Sequence, residues 1–157
     1  MPVDLICGIV SARKYARAFR ADANSLLQIL ALDQCELSLM LVSDSAIRRL
    51  NRDFRAKDKP TDVLSFPQLD ESGEVPSSAK SIATEVSTCL LGDVVISIDT
   101  ARRQARELDQ SIAHRIRTLL IHGLLHLLGY DHERSKAEAH RMFARERQLA
   151  LMLDRPH

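Results

Sequence analysis

The chain has 157 residues, a length that suits one domain with a substantial hydrophobic core. Its 22 lysine and arginine residues nearly balance 21 aspartate and glutamate residues, so the overall charge does not indicate a nucleic-acid-binding protein. No stretch is long and apolar enough for a membrane helix, and the N-terminus lacks the pattern of an export signal. We therefore expect a cytoplasmic protein that is not attached to a membrane.

The three cysteines, Cys7, Cys35 and Cys89, are far apart in the sequence and form no C-x-x-C pair. This spacing argues against a disulfide framework and against a cysteine-bound zinc ion. An odd number of scattered cysteines is typical of a reducing cytosol.

The N-terminal half predicts two strands and two helices in alternation. A short apolar run predicts a strand at 3–10, and helical spacing of apolar residues predicts a helix over 11–32. Capping residues cluster at 22–25 and predict a break in that helix. Alternating leucines predict a strand at 36–43, and a second helix is expected at 44–54.

The C-terminal half predicts two more strands and three more helices. The strands are expected at 63–66 and 89–98. The first helix is expected at 101–108 with Asp99 or Thr100 as its cap, and the second at 111–128. The third helix begins at a capping box at Ser135 and runs to about Leu153. Proline cannot donate to a sheet, so the strand before Pro67 is expected at an edge, whereas the apolar strand 89–98 is expected in the interior. Residues 70–88 show no periodicity and predict a long mobile loop.

These elements predict an α+β fold in which residues 1–157 form a single domain. We expect a mixed sheet of about four strands, with helices covering at least one face.

Three histidines in the helix 111–128 and just after it show the spacing of a metal site. His122 and His126 are four residues apart, which on an α-helix places both side chains on one face, offset by about 40° and about 6 Å of rise. Gly129 can end the helix in a left-handed turn that returns His132 toward the other two. The pattern H-x-x-x-H-x-x-G-x-x-H is that of a zincin-like helix with a third histidine, which leaves one zinc position open for catalysis.

One position departs from the zinc peptidases. Their H-E-x-x-H helix carries a glutamate that acts as general base, and here that position is Gly123. A glycine cannot accept a proton from a metal-bound water, although it lets another backbone or a bulky substrate approach the metal. The sequence therefore predicts a metal site without ordinary peptidase chemistry.

The densest positive charge lies in the helix 44–54 and the loop that follows it. Its members are Arg48, Arg49, Arg52, Arg55, Lys57 and Lys59. Only Asp53 and Asp58 oppose them. Such a cluster either follows a phosphate backbone or forms a solvated helix surface, and both interpretations stay open at this point.

Three blocks of the sequence resemble the YbeY family. Residues 122–132, H-G-L-L-H-L-L-G-Y-D-H, match its metal signature, including the glycine at 123. Residues 51–67 resemble a second signature that ends in T-D-V-L-S-F-P, and residues 91–97, L-G-D-V-V-I-S, resemble a third block. The blocks follow the family's order, whereas the N-terminal third matches only in general pattern and the loop 70–88 is longer than usual.

The resemblance implies a zinc-dependent endoribonuclease that prefers single-stranded RNA and holds one zinc ion. It implies roles in the maturation of the 3′ end of small-subunit ribosomal RNA and in ribosome quality control, with precursor ribosomal RNA and the small ribosomal subunit as partners. Carried over to this sequence, the metal ligands are His122, His126 and His132, and the functionally important arginine is Arg55.

Elementary chemistry is consistent with these roles. Zinc lowers the pKa of a bound water to about 7 and polarises a phosphoryl oxygen. The guanidinium of Arg55 matches the charge that develops on phosphate oxygens. Candidates to bind the RNA backbone are Arg48, Arg49, Arg52, Lys57 and Lys59.

The general base of the reaction is not assigned, and the candidates are zinc hydroxide, the RNA 2′-hydroxyl and Asp131. Asp131 is alternatively a residue that orients a ligating histidine. Asp93 is a similar candidate, although a role in a turn or bulge beside Gly92 is the favoured interpretation. Two other functions also stay open, a zinc peptidase and a ribosome-binding protein in which zinc only holds the C-terminal helices together.

Overall fold

A computed structural model describes residues 3–67 and 89–154, so the predicted loop at 70–88 lies outside the described residues. The described strands are β1 (Val3–Cys7), β2 (Cys35–Val42), β3 (Val63–Pro67) and β4 (Cys89–Ser97). The described α-helices are α1 (Arg13–Ile29), α2 (Asp44–Arg55), α3 (Ile98–Glu107), α4 (Ile112–Leu127) and α5 (Lys136–Asp154). No helix in these two ranges is long and apolar enough to cross a membrane.

The four strands form one mixed sheet in the order β1-β2-β4-β3. β1 and β4 run parallel to β2, and β3 pairs antiparallel with β4. The predicted four-stranded mixed sheet is therefore confirmed, with the apolar strand in the interior and the proline-ended strand at an edge. Between Leu90 and Gly92 the register with β2 shifts, so Leu91 is the extra residue of a bulge and Gly92 has a φ of +134°.

Helices cover both faces of the sheet because successive side chains of a strand point to opposite sides. On one face, Leu37, Leu39 and Leu41 of β2 join the large core formed with α1, α4 and α5. On the other face, Val95 of β4 packs with Ile47 of α2 in a smaller cluster. The result is the predicted α+β architecture, with the histidine-bearing helix α4 and the basic helix α2 on opposite faces of the sheet.

Two local predictions in the helices are wrong. α1 runs without a break through residues 22–25, because Ala23, Leu26 and Leu27 are buried and hold this stretch in the core. α3 begins at Ile98, and its cap is Ser97, whose hydroxyl accepts a hydrogen bond from the backbone N–H of Thr100. Asp99 is unavailable as a cap because its carboxylate accepts the backbone N–H of Asp44 at 2.8 Å.

The cysteines also differ from the prediction. Cys35 and Cys89 face each other in register on β2 and β4, with a Cα–Cα distance of 4.5 Å, and they form a disulfide. Cys7 is free. The expectation of unpaired cysteines is therefore wrong. The two partners are separated by 54 residues, and only the parallel pairing of β2 and β4 brings them together.

Candidate metal centre

The last turn of α4 returns the chain toward the helix. The N–H of Tyr130 donates to the carbonyl of Leu125 at 3.0 Å, and the N–H of Gly129 donates to the carbonyl of His126 at 3.0 Å. These two bonds form a Schellman motif, and Gly129 has the left-handed φ of +97° that the motif requires. The predicted glycine exit is therefore present, and it brings the residues after Tyr130 back over the histidines.

The three predicted ligands meet at one point. The ring centroids of His122, His126 and His132 lie 4.6 to 5.3 Å from one another, and each ring offers a nitrogen within 4.8 Å of the other two. The Nε2 atoms of His122 and His126 are 3.1 Å apart. Two nitrogens that each lie about 2.05 Å from a tetrahedral zinc ion are about 3.3 Å apart. The arrangement therefore fits a metal ion, and the three side chains can hold one.

The ring of His122 has a carboxylate partner on another helix. Its Nδ1 atom lies 2.6 Å from Oε1 of Glu146 on α5. A hydrogen bond at Nδ1 leaves the lone pair of Nε2 directed at the centre of the cluster, which is the tautomer that a metal ligand needs. The sequence interpretation did not single out Glu146. A signal was present, because Glu146 follows the buried Met142 by four residues and precedes the buried Leu149 by three.

The surroundings of His126 favour its neutral imidazole. Burial, followed by the neighbouring rings of His122 and His132, lowers the pKa of His126. A neutral ring near pH 7 is the form that binds a metal ion. In the same cluster, Nδ1 of His132 is buried without a hydrogen-bond partner among the described residues. A buried polar nitrogen without a partner is costly in a purely structural cluster.

Gly123 faces the sheet. A Cβ atom at this position would lie 2.8 Å from Cγ1 of Val94 and 3.0 Å from Cγ2 of Val63. The hydroxyl of Ser65 on β3 donates to the carbonyl of Gly123 at 2.7 Å, which fixes the helix against the edge strand. The glycine therefore lets the sheet pack closely against the metal helix. Of the two alternatives stated for this position, the close approach is made by another part of the chain, through side chains of the sheet, and not by substrate. A glutamate at this position would clash with β3 and β4.

A groove of about 590 Å³ opens onto the three histidines and also reaches Arg55. Arg55 is the last residue of α2, and Ala56 after it adopts a left-handed φ of +56° that turns the chain. The buried Asn51 donates to the carbonyl of Lys59 at 2.9 Å and ties the following loop to the helix. The fold thus brings Arg55 to the groove from the opposite face of the sheet, around the edge strand β3. The groove is lined by Arg55, Thr61, Asp62, Val63, Ser65, Pro67, His122, His126, Gly129, Tyr130, Asp131, His132, Glu133 and Arg134.

The two aspartates considered in the sequence analysis lie in different places. Asp131 lines the groove, and its Oδ1 atom accepts the backbone N–H of Glu133 at 2.9 Å, so it shapes the turn that carries His132. Asp93 pairs with Phe66 across β3 and β4 and shares the strand face of Val95, which packs toward α2. The favoured interpretation of Asp93, a role in a turn or bulge beside Gly92, agrees with the bulge at Leu91, and the alternative of a contact with a ligating histidine is not supported. Arg134, which was not singled out, also lines the groove.

The basic residues of α2 and the next loop are all exposed. Arg48 pairs with Asp58 at 2.8 Å, and Arg52 pairs with Asp53 at 3.0 Å. Within the described ranges, no ion pair involves Arg49, Arg55, Lys57 or Lys59. The two acidic residues therefore neutralise only part of the cluster, and the end that reaches the groove keeps its positive charge.

The fold and the site together define a single α+β domain with three histidines that converge in a groove also lined by Arg55. A family model described as Endoribonuclease YbeY matches residues 9–154, so the chain belongs to the YbeY family. The resemblance found in the sequence is thereby confirmed.

Relatives named Endoribonuclease YbeY align with most of the chain. The protein of Myxococcus xanthus is 50% identical over 137 residues, which are 87% of this chain and 43% of the relative. An Anaeromyxobacter protein is 46% identical and is covered to 65%, so the chain spans less than two thirds of both relatives. The Geobacter sulfurreducens protein is 41% identical, with coverage of 88% of this chain and 86% of the relative.

A solved structure supports the fold. The solution structure of a Thermotoga maritima protein superimposes with a TM-score of 0.63 over 96% of this chain and 88% of that chain. The two sequences are 24% identical, so the comparison establishes the shared architecture.

Proposed function

We propose that this protein is a zinc-dependent endoribonuclease that cleaves single-stranded RNA. One observation carries the proposal: the groove that opens onto the three histidines also holds Arg55. A metal centre and a guanidinium that share one groove suit a phosphodiester, whose cleavage places negative charge on the phosphate oxygens. The names of the relatives support the same class of reaction.

His122, His126 and His132 would hold one zinc ion, with Glu146 fixing the ring of His122. When bound, zinc supplies Lewis acidity toward a phosphoryl oxygen and a water of lowered pKa. Three neutral histidine ligands suit zinc, and they leave a fourth position for water or substrate. The choice of zinc over another divalent ion rests on this ligand set.

Arg55 is assigned to bind the phosphate that is cleaved. A guanidinium offers two parallel N–H donors to two phosphate oxygens. Since Asp131 accepts the backbone N–H of Glu133, we assign it to the shape of the groove, with a contribution to proton transfer as the alternative. The exposed cations Arg48, Arg49, Arg52, Lys57 and Lys59 continue from Arg55 along α2 and its loop and would bind flanking phosphates.

A zinc peptidase is the less favoured function. Its general base would occupy position 123, where the sheet leaves no room for a side chain. A non-enzymatic role, in which zinc only joins α4 to the turn after it, does not explain why the histidines line an open groove with Arg55.

The wider role follows from the family. We infer that residues 1–157 act as one domain in the cytoplasm, on precursor ribosomal RNA at the 3′ end of the small-subunit sequence. We also propose that the protein contacts the small ribosomal subunit and takes part in ribosome quality control.

The test is cleavage of a single-stranded RNA that spans the 3′ end of precursor small-subunit ribosomal RNA. Zinc-quantified wild type is compared with Arg55→Glu, His126→Ala and a control, Arg106→Glu, in which the same charge is reversed at an exposed position on α3. We expect wild type and Arg106→Glu to cut, and the other two variants to lose at least about a hundredfold in rate while remaining folded.

Equal cleavage by all four proteins would identify a contaminating nuclease and remove the proposal. Cleavage of casein but not RNA would favour the peptidase. Absence of any cleavage by a zinc-loaded wild type would favour the ribosome-binding role.

A further inference from the structure

An exposed aromatic ring stands beside the proposed active site. Phe54 lies in the last turn of α2, next to Arg55, and it is 69% exposed. Its ring meets that of Phe66 on β3 with centroids 5.4 Å apart and an interplanar angle of 66°. This edge-to-face contact fixes the orientation of the Phe54 ring, and the exposed remainder faces solvent.

The aromatic pair is adjacent in the chain to two residues that line the groove. Phe66 packs with the cluster around α2, and the next residue, Pro67, lines the groove. On the other side, Arg55 lines the groove one residue after Phe54. Neither phenylalanine lines the groove itself, and Phe66 faces α2, but each is the chain neighbour of a residue that lines it.

We propose that Phe54, supported by Phe66, is a stacking platform for one unpaired nucleobase of the RNA that enters the groove. The inference rests on the proposed function and adds to it a binding subsite for a base. An aromatic side chain with a free face stacks on any base, and such contacts are a common means of binding single strands without sequence preference.

Charge around the platform favours a nucleic acid as the occupant. Arg52 precedes Phe54 by two residues, and Arg55 follows it directly. Arg52 pairs with Asp53, whereas no ion pair in the described ranges involves Arg55. An available cation beside a stacking ring matches a base that is joined to a phosphate. By contrast, the other exposed phenylalanine of the described chain, Phe143 on α5, is 54% exposed, and neither of its chain neighbours lines the groove.

The platform also explains why a single strand would be preferred. A base inside a duplex is stacked on both faces and paired at its edge, so the ring of Phe54 can reach it only after it has left the helix. An unpaired base is free to stack. The platform therefore distinguishes an unpaired base from a paired one, and it does not distinguish one type of base from another.

The experiment measures RNA binding and cleavage by Phe54→Leu, Phe54→Trp and the matched control Phe143→Leu. Leucine retains an apolar side chain and removes the aromatic face, whereas tryptophan retains the face. Binding is followed in the His126→Ala background, where the RNA stays intact, with oligonucleotides that carry a single 2-aminopurine or a single abasic position. Cleavage is followed with the zinc-loaded proteins.

We expect Phe54→Leu to weaken binding of single-stranded RNA about tenfold or more, while Phe54→Trp and Phe143→Leu bind like their parent. Removing one base from the RNA should weaken binding by the same factor when position 54 is phenylalanine, and it should leave binding unchanged when position 54 is leucine. In cleavage, Phe54→Leu should raise KM with little change in kcat.

Equal RNA binding by Phe54→Leu and Phe143→Leu would overturn the platform and favour a protein partner at this surface. A lower thermal midpoint for Phe54→Leu than for Phe143→Leu, without the abasic coupling, would overturn it in favour of a packing role. If wild type neither binds nor cuts RNA, the proposed function fails as well, which is a different result from selective failure at position 54.

Discussion

The Nδ1 atom of His122 lies 2.6 Å from Oε1 of Glu146, although the two residues are 24 positions apart. The contact joins the metal helix α4 to the C-terminal helix α5 at the face where the histidines converge. α5 therefore contributes to the site without providing a ligand, and the orientation of one ligand depends on the packing of two helices.

Removal of this carboxylate should weaken zinc binding. We expect Glu146→Ala to raise the Kd for zinc about 10- to 100-fold, because the ring of His122 loses the hydrogen bond that fixes its tautomer. Glu146→Gln should have a smaller effect, since its amide oxygen can still accept from Nδ1. The Kd is measured by competition with a chromophoric chelator.

Glu133→Ala is the control for loss of a negative charge near the site. Glu133 is mostly exposed and its Oε1 atom is 4.0 Å from Nε2 of His132. Its removal should change the zinc Kd by less than about threefold. If Glu146→Ala and Glu133→Ala bind zinc equally well, Glu146 has no orienting role.

Gly123 should not tolerate a larger side chain. In Gly123→Ala the new Cβ atom meets the stiff, buried side chain of Val94, and we expect the free energy of unfolding to fall by about 1–2 kcal/mol despite the better helix propensity of alanine. Chemical denaturation measures the change. The double variant Gly123→Ala/Val94→Ala should lose less free energy of unfolding than the sum of the two single losses, because Val94→Ala opens the space that the new Cβ atom needs.

Strict additivity of Gly123→Ala and Val94→Ala would show that the two positions do not meet. The same geometry predicts that Gly123→Glu does not create a peptidase. Casein hydrolysis by a folded Gly123→Glu protein would contradict this placement of the helix.

The parts of the fold that the sequence predicted correctly depend on near neighbours in the chain. The i, i+4 spacing of His122 and His126 places both rings on one helix face, and Gly129 with the left-handed turn determines the return of His132. The alternating pattern of β2 and the apolar run of β4 likewise indicated which strands lie inside the sheet. These features follow from local geometry alone.

The missed features require knowledge of which elements become neighbours. The Cys35–Cys89 disulfide depends on the parallel register of β2 and β4. The contact of Gly123 with β3 and β4 depends on how α4 crosses the sheet. Glu146 was the one missed residue with a sequence signal, a carboxylate at a core-facing position of α5, but the signal did not identify its partner.

Loss of one zinc ligand should abolish zinc binding and leave the fold intact. We expect His126→Ala to bind no stoichiometric zinc while its far-ultraviolet circular dichroism stays close to that of wild type. The physical reason is that α4 is held mainly by its buried leucines and isoleucines, which the substitution leaves in place. Metal analysis of the purified proteins checks the first part, and unfolding of the variant together with loss of zinc would support a structural role for the metal instead.

Stability in acid should depend on Asp44, which joins the starts of α2 and α3. Its Oδ1 atom accepts hydrogen bonds from the hydroxyls of Ser97 and Thr100, each at 2.6 Å, and its Oδ2 atom pairs with Arg103 at 2.8 Å. Burial alone would raise the pKa of Asp44, but these three partners outweigh it and hold the pKa below its ordinary value. The ionised carboxylate is therefore favoured in the folded state.

Because the folded pKa is lower than the unfolded pKa, the stabilisation is present above the ordinary value of about 3.9 and is lost as the pH falls through the lower folded value. We expect Asp44→Asn to lower the free energy of unfolding by about 1–2 kcal/mol at neutral pH, and the difference from wild type to shrink below about pH 4. Denaturation at several pH values measures both quantities. Asp58→Asn is the control, since the pair of Asp58 with Arg48 is exposed and contributes little. A difference between wild type and Asp44→Asn that stays constant into acid would mean that the contribution of Asp44 does not depend on its charge.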